Sequence, residues 1–305
     1  AGGAISFTGN ITGTDNDEIV VLNTGSGATA NETVAVQVIG GGGKVKAVTI
    51  TGADGVTLNG NITTADVADN NVEITGAVTL GAAVTIDTAG TNSDGTITFN
   101  NTIDGAQDLD LVSDDAAIVI TGAIGNSTAL GTLDINQGTT QTGNITLTGN
   151  IGGSNAGVTG VTRIGNVNTA DLNLNGTVYK TDGATTFTAV SGGTIDLGGT
   201  SPTFTTSADA ITFATAGVKI GAGTLTVNSA GGAISFTGNI TGTDNDETVV
   251  LNTGTGATNT ETVAVQVIGG GGKVKAVTIT GADGVTLNGN ICLLYTSDAA
   301  DEFSW

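Results

Sequence analysis

Carboxylates are where this chain could do chemistry, and their setting limits what that chemistry is. Asp and Glu number 28 against seven Lys and Arg, there is no His, and the formal net charge is −21. Without imidazole, Ser-His-Asp catalysis, His metal ligation and most proton transfer near neutral pH are excluded. The densest acidic run is Asp15-Asn16-Asp17-Glu18, which returns as Asp244-Asn245-Asp246-Glu247. Oxygen-rich loops bind calcium, which takes roughly six to eight ligands. This run matches neither an EF-hand loop nor the glycine-rich nonapeptide calcium roll, so a solvated turn is the reading adopted. Paired carboxylates at a defined separation can also hydrolyse glycosides. An acidic sugar, however, would need clustered cations, and Lys44, Lys46, Arg163, Lys180, Lys219, Lys273 and Lys275 are scattered. No phosphate-cradling loop of the GxxxxGK type occurs. The chain is therefore expected not to be an enzyme, with no catalytic, cofactor-binding or metal-binding residues and no cofactor. Its acidic balance repels phosphate backbones and anionic lipid, which argues against nucleic-acid partners. No run of about 18 apolar residues offers a membrane-spanning helix.

These groups ride on a repeated strand. In Ile5-Ser6-Phe7-Thr8-Gly9-Asn10-Ile11, apolar and polar residues alternate, a Gly follows, and an apolar residue closes the unit. The unit returns as Val56–Ile62, Val72–Val78, Ile118–Ile124, Ile145–Ile151, Leu172–Val178, Ile234–Ile240 and Val285–Ile291, and as Ile97–Ile103 with Asn101 in the Gly place. Alternation of period two is a strand pattern. The Gly reads as a corner needing left-handed backbone, for which Asn is the next most tolerant residue. Positions one, three and seven are expected inside, so Ile5, Phe7 and Ile11 should be buried and Ser6 and Thr8 exposed. Val34, Val36 and Val38 are expected to share one face of a strand over 33–39. Lys44 and Lys46 should reach solvent opposite Val45, with a bulge or corner near Ala47.

Closely spaced units start 16 to 27 residues apart. Rungs of roughly 20–25 residues hold about three short strands and their corners, the length of a solenoid coil. Hairpins would bring the unit back only every second strand, and sandwiches repeat over a longer period around large aromatics. Aromatics here are 3% of residues. The expected fold class is all-β, an elongated parallel β-helix, with sandwiches or another extended β array as the alternative.

Residues 1–62 and 230–291 are near-duplicates displaced by 229, differing at Ile19/Thr248, Ser26/Thr255, Ala30/Asn259 and Asn31/Thr260. Three of the four differences fall in Ser26–Asn31, where a loop tolerates change. The two blocks are expected to fold alike within one solenoid segment, residues 1–291. After Ile291 the style of sequence changes to Cys292-Leu293-Leu294-Tyr295-Thr296-Ser297-Asp298-Ala299-Ala300-Asp301-Glu302. That run resembles one reading frame of the transposase-tagging adapter used in shotgun sequencing. Residues 292–305 are thus expected to be foreign to the fold, with at most Leu293–Thr296 pairing onto the last coil and Ser297–Trp305 projecting. The one Cys lies in this tail, so no disulfide framework serves the rest. With no Met, the chain is expected to be an internal part of a longer protein.

The segment from Gly95 through Ile97-Thr98-Phe99 and Ile103-Asp104-Gly105 to Leu109-Asp110-Leu111, then Ile118–Ile124 and Leu130–Ile135, resembles a known kind of repeat. It is similar to repeats of the very large secreted β-strand repeat proteins of Gram-negative bacteria, in the style of filamentous haemagglutinins and autotransporter passengers. The resemblance implies a right-handed β-helix at the cell surface or outside the cell, acting as a stalk or adhesive segment. Implied partners are host or environmental glycans or proteins, or neighbouring surface proteins. A carbohydrate-active β-helix enzyme is the alternative. The resemblance supplies no catalytic residues.

Overall fold

A short strand of Val, Ile and Thr buries its apolar side only if other coils lie above and below it, so such strands favour stacking. The structure, a computed structural model, describes residues 3–25, 31–138, 140–254 and 261–294. Every strand pairing among them is parallel, and the chain winds into a β-solenoid of about eleven coils. At roughly 4.8 Å per coil this gives a rod about 50 Å long.

Following each strand to its partner traces three faces. The first passes through Ile5, Val34, Val56, Val78 and Ile103, continues by single bridges through Ile124 and Ile151, and resumes at Tyr179, Phe204, Val227, Leu251 and Ile279. The second passes through Ile11, Ile39, Ile62, Ile86, Leu111, Ile135, Ile164, Phe187, Phe213 and Phe236. The third begins at Leu22, Ile50, Ile74 and Phe99 and ends at Ile240, Ile268 and Ile291. The spacing between partners on successive coils runs from 19 residues, Val45 to Thr64, to 29, Ile5 to Val34. Strands Thr185–Thr200 and Ile211–Ala222 turn the corner between the second and third faces unbroken.

The core is the stack of inward side chains, mostly Ile, Val and Leu, nearly all below 3% exposure. Each contributes on the order of 1.5–3 kcal/mol when fully buried. Toward the C-terminal half the filling changes. Tyr179 stacks on Phe204 with ring centroids 4.5 Å apart, and Phe213 stacks on Phe236, also at 4.5 Å. Edge-to-face contacts at 5.0 and 5.3 Å tie the two columns together through Phe204, Phe213 and Phe187. These residues recur at coil length in the sequence, a spacing that marks them as one stack.

Each repeated unit straddles a corner: a strand, the Gly, and the start of the next face. The corner is not always the same one. Units starting at Ile5 and Val56 join the first face to the second, and those from Val72 to Leu172 join the third to the first. Those at Ile234 and Val285 join the second to the third. The reason for the Gly differs from the one expected. Of the nine corner positions only Gly76 has left-handed φ, at 123°. At every other corner Gly but Gly9, a Cβ would strike the coil beneath: Gly149 the carbonyl of Gly122, Gly176 that of Gly149, Gly238 that of Ala216. Close stacking selects Gly here, while Asn101 is exposed and its Oδ1 accepts from Thr102 N at 2.8 Å.

Two local expectations also shift. Val38 is half-buried while Ile39 is fully buried, because the strand ends at Val36 and a corner intervenes. Val178 is likewise only half-buried, and Tyr179 takes the inward place. Lys44 is exposed and Lys46 half-buried around buried Val45, and the phase change before Val48 falls where expected.

The duplicated blocks keep most of their strand boundaries, but not all. Ile5–Ser6 answers to Ile234–Phe236, a single bridge at Ile11 to the strand Ile240–Gly242, and the strand Ile62–Thr63 to a single bridge at Ile291. Thr33–Val36 and Thr262–Val265, Ala47–Thr51 and Ala276–Thr280, and Gly55–Leu58 and Gly284–Leu287 correspond residue for residue. Their positions in the coil differ. Ile5 lies on the first face and Ile234 on the second, Ile11 on the second and Ile240 on the third, Val20 on the third and Val249 on the first. The second block is thus turned by one face relative to the first. Burial follows position in the stack: Phe7 is 36% exposed in the first coil, and its counterpart Phe236 is 1% exposed. The expectation that Ile5, Phe7 and Ile11 are buried therefore fails at this coil, beneath which no described residue lies, and holds for Ile234, Phe236 and Ile240.

At the other end, Cys292 N donates to Ile268 O at 2.7 Å and Leu294 N to Val274 O at 2.9 Å, with a bridge from Leu293 to Val274. The first block makes the same bonds with Thr63 and Ala65. Backbone pairing thus carries three residues of unrelated sequence onto the coil. Residues 295–305, on which the remaining tail expectations fall, lie outside the described residues.

Candidate functional site

The acidic runs occupy corners, and there the carboxylate turns back on its own loop. Glu18 Oε1 accepts from Thr14 N and Thr14 Oγ1, each at 2.5 Å, and from Asp15 N at 3.1 Å. These bonds, the Thr14 hydroxyl first, hold its carboxyl down to about 2. Glu247 repeats the arrangement with Thr243 N and Asp244 N, both at 2.7 Å. Asn16 and Asn245 sit at φ 66° and 68°, the left-handed residue that closes each turn. In both copies Oε2 is buried without a protein partner. Among the described residues no three His, Cys, Asp or Glu converge as a metal ligand set. The loop is a Glu-closed turn.

A denser grouping lies on the outer side of the second face. Alternation there places Thr85, Asp110, Asp134 and Arg163 in one outward column on successive coils. Arg163 grips Asp134 through two bonds, Nε to Oδ1 at 2.7 Å and Nη2 to Oδ2 at 2.6 Å. Asp110 is half-buried in this column, and desolvation raises its pKa, reinforced by the charges of Asp134 and Asp87 and opposed by Arg163. Beside it, Asp108 Oδ1 accepts from Thr132 N at 2.8 Å. Asn61, Thr85, Asp108, Asp110, Thr132 and Asp134 line a shallow open basin of about 420 Å³. Ala83, Val84 and Leu109 complete the lining, which carries no aromatic side chain.

A half-buried carboxyl whose pKa is raised, beside a carboxyl gripped by Arg163, is an arrangement that can bind hydroxyls or exchange protons. Sequence reading treated Arg163 as isolated and did not single out Asp110 or Asp134. Each sits between two apolar residues, Leu109 and Leu111, Leu133 and Ile135, with Arg163 next to Ile164. That shared pattern at coil spacing would have aligned them.

A second set of polar residues shapes the corners from inside. Thr24, Thr88, Ser113, Thr206, Ser229 and Thr253 each stand two residues after an inward side chain and are nearly or fully buried. Each hydroxyl donates across its corner loop to a carbonyl, Thr24 to Glu32 at 3.0 Å, Thr88 to Gly95 at 2.5 Å and Ser113 to Ala116 at 2.7 Å. Thr206, Ser229 and Thr253 do the same with Asp209, Gly232 and Glu261. Loops of different length are thereby closed on a constant core. On the outside, Asp66 accepts five bonds from Thr91, Asn92 and Ser93 one coil above, at 2.7–3.0 Å.

Comparison with family models, with curated proteins and with solved structures found no match for this chain.

Proposed function

We propose that this chain is a structural and adhesive rod segment of a large surface or secreted bacterial repeat protein, of the Gram-negative kind its repeats resemble. Its mechanism is reach and display: a stiff coil stack holds polar columns and corner loops away from the cell, and repeated weak sites add avidity. The observation that carries the reading is the turned duplicate. A block of sequence used twice, on different faces, suits a scaffold whose parts are interchangeable better than one unique catalytic cleft. Glycans or proteins are the partners proposed, with the basin around Asp110 and Asp134 as the first place for hydroxyl-rich ligands.

Binding of the fluorescently labelled chain to arrayed glycans and extracellular-matrix proteins tests this. Retention that falls when Asp110 and Asp134 are replaced by Asn supports display of a ligand site. The alternative, a carbohydrate-active enzyme, is favoured by the raised pKa of Asp110 beside Asp134, which pairs with Arg163. Release of reducing ends or unsaturated products from soluble polysaccharides, lost in Asp110→Asn, would replace the adhesive reading with that one.

A further inference from the structure

Asn followed two residues later by Ser or Thr, with no Pro between, is the acceptor pattern for N-linked sugar, and it occurs eight times in this chain. In a sequence so rich in Asn and Thr the pattern alone decides nothing, but the fold separates the eight. At Asn61, Asn100, Asn144 and Asn239 the Thr of the pattern is half-buried. Asn100 Nδ2 also donates already, to Glu73 Oε1 at 2.9 Å and Thr75 Oγ1 at 3.0 Å. Asn10 lies in the first coil, and Asn31 adjoins residues outside those described. Asn126 and Asn175 remain, each exposed together with its Thr, Thr128 and Thr177. The two share one kind of seat. The carboxamide oxygen of each lies against a Gly of the next coil, Gly153 over Asn126 and Gly198 over Asn175, where a Cβ would strike it. Nδ2 of each has no hydrogen-bond partner among the described residues. The backbone that follows is held from the coil below. Asp104 Oδ1 accepts from Ser127 N and Thr128 N at 2.8 and 3.0 Å, and Asn150 Oδ1 from Thr177 N and Val178 N at 2.8 and 3.1 Å. The Thr177 hydroxyl reaches Asn150 only at 3.5 Å.

We propose that Asn126 and Asn175 are acceptor sites for an N-linked sugar, added by a transferase that reads Asn-x-Ser/Thr. The donor is a sugar joined through C1 to a nucleoside diphosphate. Nδ2 forms the new bond to C1, and the C1–O bond to the diphosphate breaks. The nucleoside diphosphate leaves with that electron pair, and one amide proton passes to a base of the transferase. Oδ1 takes no part and keeps its place against the Gly. The two sites lie on opposite edges of the first face, Asn126 just after Ile124 and Asn175 just before Tyr179, which stand two coils apart, roughly 10 Å along the axis. Over that stretch the first face is held by single bridges through Ile124 and Ile151. A sugar on each edge covers the part of the face with the thinnest pairing. The sites are independent of what the rod binds through the basin at Asp110.

Incubation of the folded full chain with a purified transferase of this specificity and UDP-glucose, followed by glycopeptide mass mapping, tests the proposal. One hexose is expected at Asn126 and one at Asn175, with none at Asn61, Asn100, Asn144 or Asn239. Synthetic peptides spanning Asn100 and Asn144 are expected to be modified, which assigns their protection in the chain to the fold. Thr128→Ala and Thr177→Ala, each with an unchanged circular-dichroism spectrum, should lose the hexose at their own site alone. If either variant fails to fold, Asn126→Gln or Asn175→Gln serves instead. A chain left bare at Asn126 and Asn175, equal occupancy at the four half-buried patterns, peptides that stay unmodified, or hexose retained in the Thr variants would overturn the proposal.

Discussion

Gly9 and Gly238 have the same sequence neighbours and different spatial ones. A Cβ on Gly238 meets the carbonyl of Ala216, while one on Gly9 meets nothing within 4 Å. Gly238→Ala is therefore expected to destabilise by about 1–3 kcal/mol, the usual range for forced overpacking. Gly9→Ala should stay within about 0.5 kcal/mol, as surface changes do. Urea titration of the two variants measures the contrast, and equal effects would show that backbone conformation, not stacking, selects the Gly. Glu18 carries a pH prediction. Its pKa in the fold, about 2, lies below the ordinary 4.5 because Thr14 and Asp15 donate to the carboxylate. Its contribution is thus complete above pH 4.5 and lost as pH falls toward 2. Glu18→Gln should show a smaller acid loss over that window, read as a flatter dependence of local hydrogen exchange at Thr14 and Asp15 on pH.

At the scale of the coil, the buried hydroxyls and the aromatic stack bear different loads. Ser113→Ala leaves the Ala116 carbonyl without its donor and is expected to cost about 1–3 kcal/mol. Phe213→Ala removes a ring touching Phe187, Phe204 and Phe236 and should cost about 3–5 kcal/mol. Thermal melts order the two, and a milder Phe213 variant would mean that the stack collapses to fill the gap. The parallel coil was legible because alternating Ile, Val and Thr with a regularly placed Gly leave few other ways to bury one side of so many strands. Which corner each unit turns was not legible, since all three corners accept the same seven residues. Nor was the Asp134–Arg163 pair, which joins residues 29 apart and depends on coil length. Val38 and Val178 misled for a related reason: a corner residue changes the phase of alternation without changing its composition.

For the whole rod, the tail offers a direct check. Cys292 and Leu294 add two backbone bonds to the last coil. Deleting residues 292–305 is expected to move the melting temperature by no more than about 3 °C. A drop well beyond that would make the tail part of the fold. The turn of one face between the duplicated blocks reaches further. The acidic turns at Asp15–Glu18 and Asp244–Glu247 sit on different corners of a three-faced coil, about a third of a revolution apart. Duplication that steps around the axis sets identical corners on different sides of the rod, where duplication in line would have set them all on one.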